Sequence, residues 1–298
     1  MVDNFRPLNV ERVKVKEMGN VIEIMYQSNS NSYIKIKKID KNHYMDLETG
    51  EIKEFKHMEN RTDDINNLRV SMSNLRDLIN TNVTDPRYCK WITFTYAENM
   101  QDPKKLHNDF KIFNTLFRRK GFKYEYIAVA EPQGRGAWHL HVLFIFDHVI
   151  EYIPNDFIYG LWKKGWTVTK KVDDVDNVGA YLTAYLGDIP VDEFDKLKDD
   201  GVDFSGGDNI FNIKECEIDG VKKRIVKGAR LHLYPVGFNL YRCSRGVKRP
   251  IINYMNEKKA QKKVNSAKLT FEYTMCLWDE DIAFEKIINK RFYNKSIK

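Results

Sequence analysis

The stretch Tyr124-Glu125-Tyr126-Ile127-Ala128-Val129-Ala130-Glu131-Pro132-Gln133-Gly134-Arg135-Gly136-Ala137-Trp138-His139-Leu140-His141-Val142-Leu143-Phe144-Ile145-Phe146 reads as two apolar strands joined by a glycine turn. Strands need a tight connection to pair as a hairpin, and Gln133-Gly134-Arg135-Gly136 supplies it. Side chains two apart on a strand share a face. His139 and His141 therefore point one way, and Leu140 and Val142 point into the core. Two imidazoles on one face suit a metal. Glu131 ends the neighbouring strand and is the expected third ligand. Mixed nitrogen and oxygen donors suit Mn²⁺ or Mg²⁺, and zinc takes the same set.

Outward from the hairpin the periodicity changes in a regular way. Lys90 to Tyr96 is a predicted strand, and Asp102 to Lys120 an amphipathic helix with Phe110, Phe113, Leu116 and Phe117 on its apolar side. Pro154 to Lys164 reads as a short helix, Trp166 to Val172 as a strand and Asp176 to Leu186 as a helix. The expected order is β-α-β-β-α-β-α. We read it as an α+β fold, an antiparallel central sheet of split β-α-β type with helices on one face. Residues 1–85 are expected to be a β-rich N-terminal segment plus a helix, a candidate DNA-binding accessory. Val21 to Ile24 and Tyr33 to Ile36 alternate as strands, and residues 60–83 carry apolar side chains at helical steps. Residues 86–190 are expected to be the core, and 191–298 a basic extension packing on it. Within the extension, the acidic stretch 191–209 reads as a surface loop, 253–265 as a basic helix and Leu269 to Leu277 as a strand.

On the predicted helix Gly179-Ala180-Tyr181-Leu182-Thr183-Ala184-Tyr185-Leu186, the two tyrosines are four apart and project from one face. Leu182 and Leu186 form a second row able to face the sheet. A tyrosine can attack a phosphodiester and hold it covalently. Its free pKa near 10 makes it a weak nucleophile. A nearby metal favours the phenolate and neutralises the phosphoryl oxygens.

The net charge of the 298 residues is +7, which suits a polyanionic partner. Lysines and arginines cluster at 163–164, 170–171, 222–230, 242–249 and 258–263. Arg135 on the glycine turn, Lys170, Lys171, Arg230, Arg242 and Arg245 are the expected DNA contacts. The four cysteines form no Cys-x-x-Cys pair and are expected to be buried thiols. No run of about 18 apolar residues is present, and the first residues lack a signal-peptide pattern, so the expected setting is the cytoplasm, away from membranes. Neither His-Glu-x-x-His nor Gly-x-x-x-x-Gly-Lys occurs, which gives no support to a metalloprotease or a fused helicase.

A strand like Trp91 to Tyr96, then His-hydrophobic-His, then a tyrosine helix resembles the HUH endonucleases. The closer likeness is to rolling-circle replication initiators of small plasmids and phages of Gram-positive bacteria. It rests on Ala130 to His139, Asn177 to Tyr185 and Gly228 to Pro235, and it covers roughly residues 20–250. The resemblance implies His139, His141 and Glu131 as metal ligands and Tyr181 and Tyr185 as paired nucleophiles. It also implies single-stranded origin DNA as substrate, a 5′-phosphotyrosine intermediate, and a host helicase and DNA polymerase as partners. Many one-tyrosine members carry a lysine three or four residues after the tyrosine; Ala184, Tyr185 and Asp188 stand in the comparable region here. Conjugative relaxases and single-strand transposases share the chemistry. An RNA-binding module on the same fold is the non-enzymatic alternative.

Overall fold

The computed structural model describes residues 12–28, 36–55, 65–172, 178–202, 204, 212–218, 221–235, 238–279 and 284–297. In chain order the strands and helices are β1 (Val13–Met18), β2 (Val21–Gln27), β3 (Ile36–Lys38), β4 (His43–Asp46), β5 (Ile52–Glu54), α1 (Ile65–Asn82), β6 (Cys89–Phe94), α2 (Pro103–Arg119), β7 (Tyr124–Pro132), β8 (Trp138–Phe146) and α3 (Asn155–Trp162). They continue with β9 (Thr167–Lys171), α4 (Val178–Gly187), β10 (Ile189–Pro190), α5 (Val191–Asp199), β11 (Ile213–Ile218), β12 (Val221–Val226), β13 (Tyr241–Cys243), β14 (Ile251–Met255), α6 (Glu257–Val264), β15 (Lys268–Asp279) and β16 (Phe284–Asn294). The class is α+β, with several antiparallel sheets.

Two compact units form. One takes the described parts of Met1–Glu17, Ile22–Glu59 and Ile252–Lys298, the other those of Met18–Val21 and Asn60–Ile251. The sequence grouped α1 with the N-terminal strands and everything after 190 into one extension; the structure groups them differently. In the first unit the strand order β14-β1-β2-β16-β15 interleaves N- and C-terminal strands. Val13, Val15, Ile22, Ile24 and Tyr293 pack there against Ala260 and Val264 of α6. Beneath that helix the buried Arg291 donates to both carboxylate oxygens of Glu257, at 2.6 and 2.9 Å. A bidentate pair of this kind satisfies two buried charges together. A small sheet β3-β4-β5 completes the unit, its last turn bending at Gly50 with φ +73°. The predicted strand Tyr33 to Ile36 lies outside the described residues except for Ile36.

In the second unit a five-stranded sheet runs β13-β7-β8-β6-β9, every neighbouring pair antiparallel. One face carries Phe94, Phe144 and Phe146, and the amphipathic α2 fills it with Phe110, Phe113 and Phe117. Asp102 caps α2 by accepting from the Lys104 amide, and Pro103 follows at its first position. Trp162 of α3 joins the same aromatic cluster, its ring 5.0 Å from Phe94. Buried rings of this size each stabilise by about 1.5–3 kcal/mol. The apolar stripe of α1 (Leu68, Leu75, Leu78, Ile79) belongs to this unit's core with Leu182 and Leu186 of α4, which is why α1 leaves the N-terminal segment.

Two expectations need correction. The acidic stretch is not all loop: residues 191–199 form α5, with Phe194 and Leu197 buried three apart. Its acids Asp192 and Glu193 sit in the first turn and Lys196 and Lys198 in the last, the arrangement the helix dipole favours. The cysteines are not uniformly buried, since Cys89 is buried, Cys243 half-buried and Cys276 exposed on an edge strand. The side chain of Cys216 lies outside the described residues. No helix among the described residues is long and apolar enough to cross a membrane.

Candidate metal centre

β7 and β8 pair so that Glu131 stands opposite His139 and Val129 opposite His141. β6 lies on the other side of β8 and sets Thr93 opposite His141. Directly paired residues share a face. Glu131, His139, His141 and Thr93 are thus on one side of the sheet, and the α2 cluster is on the other. The intervening Leu140 and Val142 are fully buried, as strand alternation demands. One ligand atom from each of Glu131, His139 and His141 lies within 4.8 Å of the others.

The carboxylate is held at both oxygens. Its Oε2 is 2.5 Å from His141 Nε2, and its Oε1 is 2.9 Å from Arg230 Nε. On the far side of the ring, His141 Nδ1 lies 3.0 Å from Thr93 Oγ1. The Trp91 ring stacks on the imidazole at 5.6 Å and 19°. His141 and Glu131 are both buried, while His139 is half-buried at the mouth of the cluster.

These surroundings set the charges. Burial works to raise the Glu131 carboxyl, but His141, Arg230 and His139 outweigh it and hold the pKa below its usual value. Burial pushes the His139 imidazole down to about 4; Glu131 pulls the other way, and His141, Arg135 and Arg230 add to the depression. At neutral pH the cluster therefore offers a carboxylate and an uncharged imidazole at position 139, the protonation states that ligation requires.

Arg230, expected among the DNA contacts, is only 6% exposed. It sits on a 3-10 turn (Ala229–Leu233), and its guanidinium faces inward. Besides Glu131 it reaches the Pro132 carbonyl at 3.4 Å, the Asp188 carbonyl at 3.3 Å and Glu193 at 3.7 Å. A side chain so committed supports the carboxylate instead of meeting a strand at the surface. Asp188 is anchored in turn, accepting from Lys227 Nζ at 2.6 Å and from the Gly228 amide at 3.0 Å.

The remaining candidates fall on different sides. Arg135 is exposed at the hairpin tip, close enough for its charge to depress His139. Lys170 is opposite Trp91, hence on the cluster's face. Lys171 is opposite Lys90, and Arg242 opposite Ala128, so both belong to the other face. Arg245 is exposed in the turn after β13.

Tyr181 and Tyr185 are on α4, but their side chains lie outside the described residues. What is described is how the helix is seated. Leu182 and Leu186 are buried. The Gly179 amide donates to Asn80 Oδ1 of α1 at 2.7 Å, and a Cβ on Gly179 would fall 2.3 Å from the Arg76 carbonyl. Thr93, Trp91 and Arg230 were not picked out as parts of the cluster from the sequence. Their only signal there was the alternation of Trp91 and Thr93 along one strand face, and nothing local says that β6 lies beside β8.

A family model for replication-associated proteins of the ORF2 group matches residues 89–189. The matched segment runs from β6 to the end of α4 and contains all three clustered residues. No curated protein and no solved structure matches the chain. The match spans about a third of the chain and supports a replication-associated role; the segment that carries it is the one that holds the carboxylate and the two imidazoles.

Proposed function

We propose that this protein nicks and rejoins single-stranded DNA at a replication origin, as a rolling-circle initiator of the two-tyrosine HUH type. The observation that carries the reading is the convergence of Glu131, His139 and His141 on one sheet face inside the segment similar to replication-associated proteins. The strand order β9-β6-β8-β7, crossed by α2 and α3, agrees with the split β-α-β core such nucleases use. Mn²⁺ or Mg²⁺ suits the donors, and when bound it would neutralise charge on the scissile phosphate.

The chain's own residues have defined tasks in this scheme. Arg230 keeps Glu131 ionised and oriented. His141 releases its Nε2 proton on ligation, while Nδ1–H donates to Thr93 Oγ1 and fixes the ring. Seating α4 on α1 through Gly179 fixes the helix that carries Tyr181 and Tyr185. One tyrosine oxygen forms a bond to phosphorus as the bond from phosphorus to the 3′ oxygen breaks. The phenol proton is lost and the departing 3′ oxygen gains one. The 3′ hydroxyl then primes synthesis by a host polymerase, with a host helicase separating the strands in the cytoplasm. The second tyrosine cuts the regenerated origin, and the freed 3′ hydroxyl attacks the first phosphotyrosine to close the circle. The covalent bond conserves the energy of the original diester, so rejoining needs no ATP.

Labelled single-stranded oligonucleotides with Mn²⁺ test this directly. A covalent protein–DNA adduct is expected on a denaturing gel. Tyr181→Phe and Tyr185→Phe are each expected to weaken nicking or joining, and the double variant to leave no adduct. An adduct formed by the double variant would refute the tyrosine assignment.

A further inference from the structure

The edge strand β9 shows a feature that the metal cluster does not use. By register with β6, Val168 stands opposite Thr93 and Lys170 opposite Trp91. Trp166 extends the same row by alternation, and its carbonyl accepts from the Thr95 amide at 3.0 Å and from Thr95 Oγ1 at 2.9 Å. The alternate residue Thr167 points the other way, its hydroxyl bonded to Asn155 of α3. Trp166, Val168 and Lys170 therefore line the sheet face that carries His141. Elsewhere that face is covered: Trp91, Leu143 and Val129 are buried. Along β9 it is open. Trp166 is 75% exposed, Val168 46%, and Tyr159, whose ring is 6.3 Å from that of Trp166, 48%.

A tryptophan this exposed is unusual for so large an apolar side chain. Its backbone is also held rigidly. A Cβ on Gly165 would fall 2.6 Å from backbone atoms of Thr95 to Ala97, so the turn before Trp166 is pressed against the end of β6. Trp162 Nε1 donates to the Thr95 carbonyl at 2.7 Å and ties α3 to the same point. Lys163 ends α3 with φ +55°, the left-handed conformation in which glycine is the unstrained choice. The segment Tyr159 to Lys171 contains four lysines and no carboxylate. Fixed exposed aromatics among lysines are what a single strand requires, because bases stack on rings and phosphates pair with ammonium groups.

We infer that Trp166, with Tyr159 beside it and Lys163 and Lys170 flanking, is a base-stacking platform that guides single-stranded DNA along β9 toward the metal cluster. Thr93 is one strand from Val168 and His141 one further, about 10 Å at the usual strand spacing, so a strand lying along β9 passes one to two nucleotides from the ligands. The choice of DNA as occupant rests on the nicking reading above; the platform itself rests on exposure, rigidity and charge.

The test is fluorescence anisotropy of a labelled oligodeoxythymidylate with the full-length protein in EDTA, where no cleavage can occur. Trp166→Ala is expected to weaken binding at least five-fold, and Trp166→Phe to stay within about three-fold of the wild type. Lys163→Gly keeps the left-handed turn while removing one charge; weaker binding with a shallower salt dependence is expected of it. Unchanged thermal melting would show that each variant folds. Wild-type affinity in Trp166→Ala overturns the proposal. So does a change confined to sedimentation behaviour, which would make the ring a contact between copies of the chain. A protein that binds the oligonucleotide through Trp166 yet never cleaves one refutes the nicking reading and leaves the platform standing. One that cleaves while Trp166→Ala binds normally does the reverse.

Discussion

His139 differs from its neighbour two residues on because it is only half-buried yet strongly depressed, to about 4 from an ordinary 6.5. The sign of the consequence follows. Above pH 6.5 the imidazole is neutral in folded and unfolded chains alike, and titration contributes nothing. As pH falls from 6.5 toward 4, the unfolded chain takes up a proton at position 139 that the folded chain refuses, so stability is lost across that window. In EDTA, the His139→Gln variant is therefore expected to lose less stability between pH 7 and pH 5 than the wild type, measured as urea midpoints. The His139 resonances in an NMR titration are expected to move with a midpoint near pH 4. A midpoint near 6.5 would remove the electrostatic account of the cluster. Glu131 contributes with the opposite dependence: its depressed carboxyl stabilises above the usual carboxylate range and ceases to do so as pH falls through its folded pKa.

Among the elements, α4 is the one whose placement the proposed chemistry most requires, and its contact with α1 is set by the absence of a side chain. With the Arg76 carbonyl 2.3 Å from where a Cβ would stand, Gly179→Ala must push the two helices apart or distort the first turn. Overpacking against backbone costs about 1–3 kcal/mol. The variant is expected to melt several degrees lower, and to lose adduct formation beyond what its folded fraction explains. Full activity at a temperature where the variant is folded would show that the seating of α4 is not needed. α5 carries a different lesson. Its residues are polar enough to read as loop, yet Phe194 and Leu197 fall on one helical side and, with Ile189, Phe204 and Val226, make a small core of their own. Composition over a window hid a periodicity of only two apolar positions.

At the scale of the whole molecule, the surplus of seven positive charges acts through where it lies. Arg230 is spent inside on Glu131. Arg242 and Lys171 lie on the sheet face away from the cluster, and Arg135 and Lys170 lie near it. If about four cations meet a single strand along β9, the logarithm of affinity is expected to fall with the logarithm of salt at a slope of about −3. A slope near zero, measured from about 50 to 300 mM salt, would mean that the basic residues take no part in binding.

What the residues determined alone was local and periodic. The β7–β8 hairpin, the shared face of His139 and His141, Glu131 across the glycine turn, and the helices α2, α3 and α4 all follow from alternation of two, steps of three and four, and turn chemistry within short windows. The contacts that complete the cluster join residues far apart in the chain, and no local pattern encodes them. Thr93 reaches His141 because β6 inserts between β8 and β9, and Arg230 reaches Glu131 from 99 positions downstream. The division into units was likewise decided in three dimensions, because β1 and β2 find their partners in β14 and β16 near the other end of the chain. Strand order is a choice among long-range pairings that bury the same apolar faces, so the hairpin could be read from the sequence, while the neighbours that charge and orient its three ligands were settled by the tertiary fold.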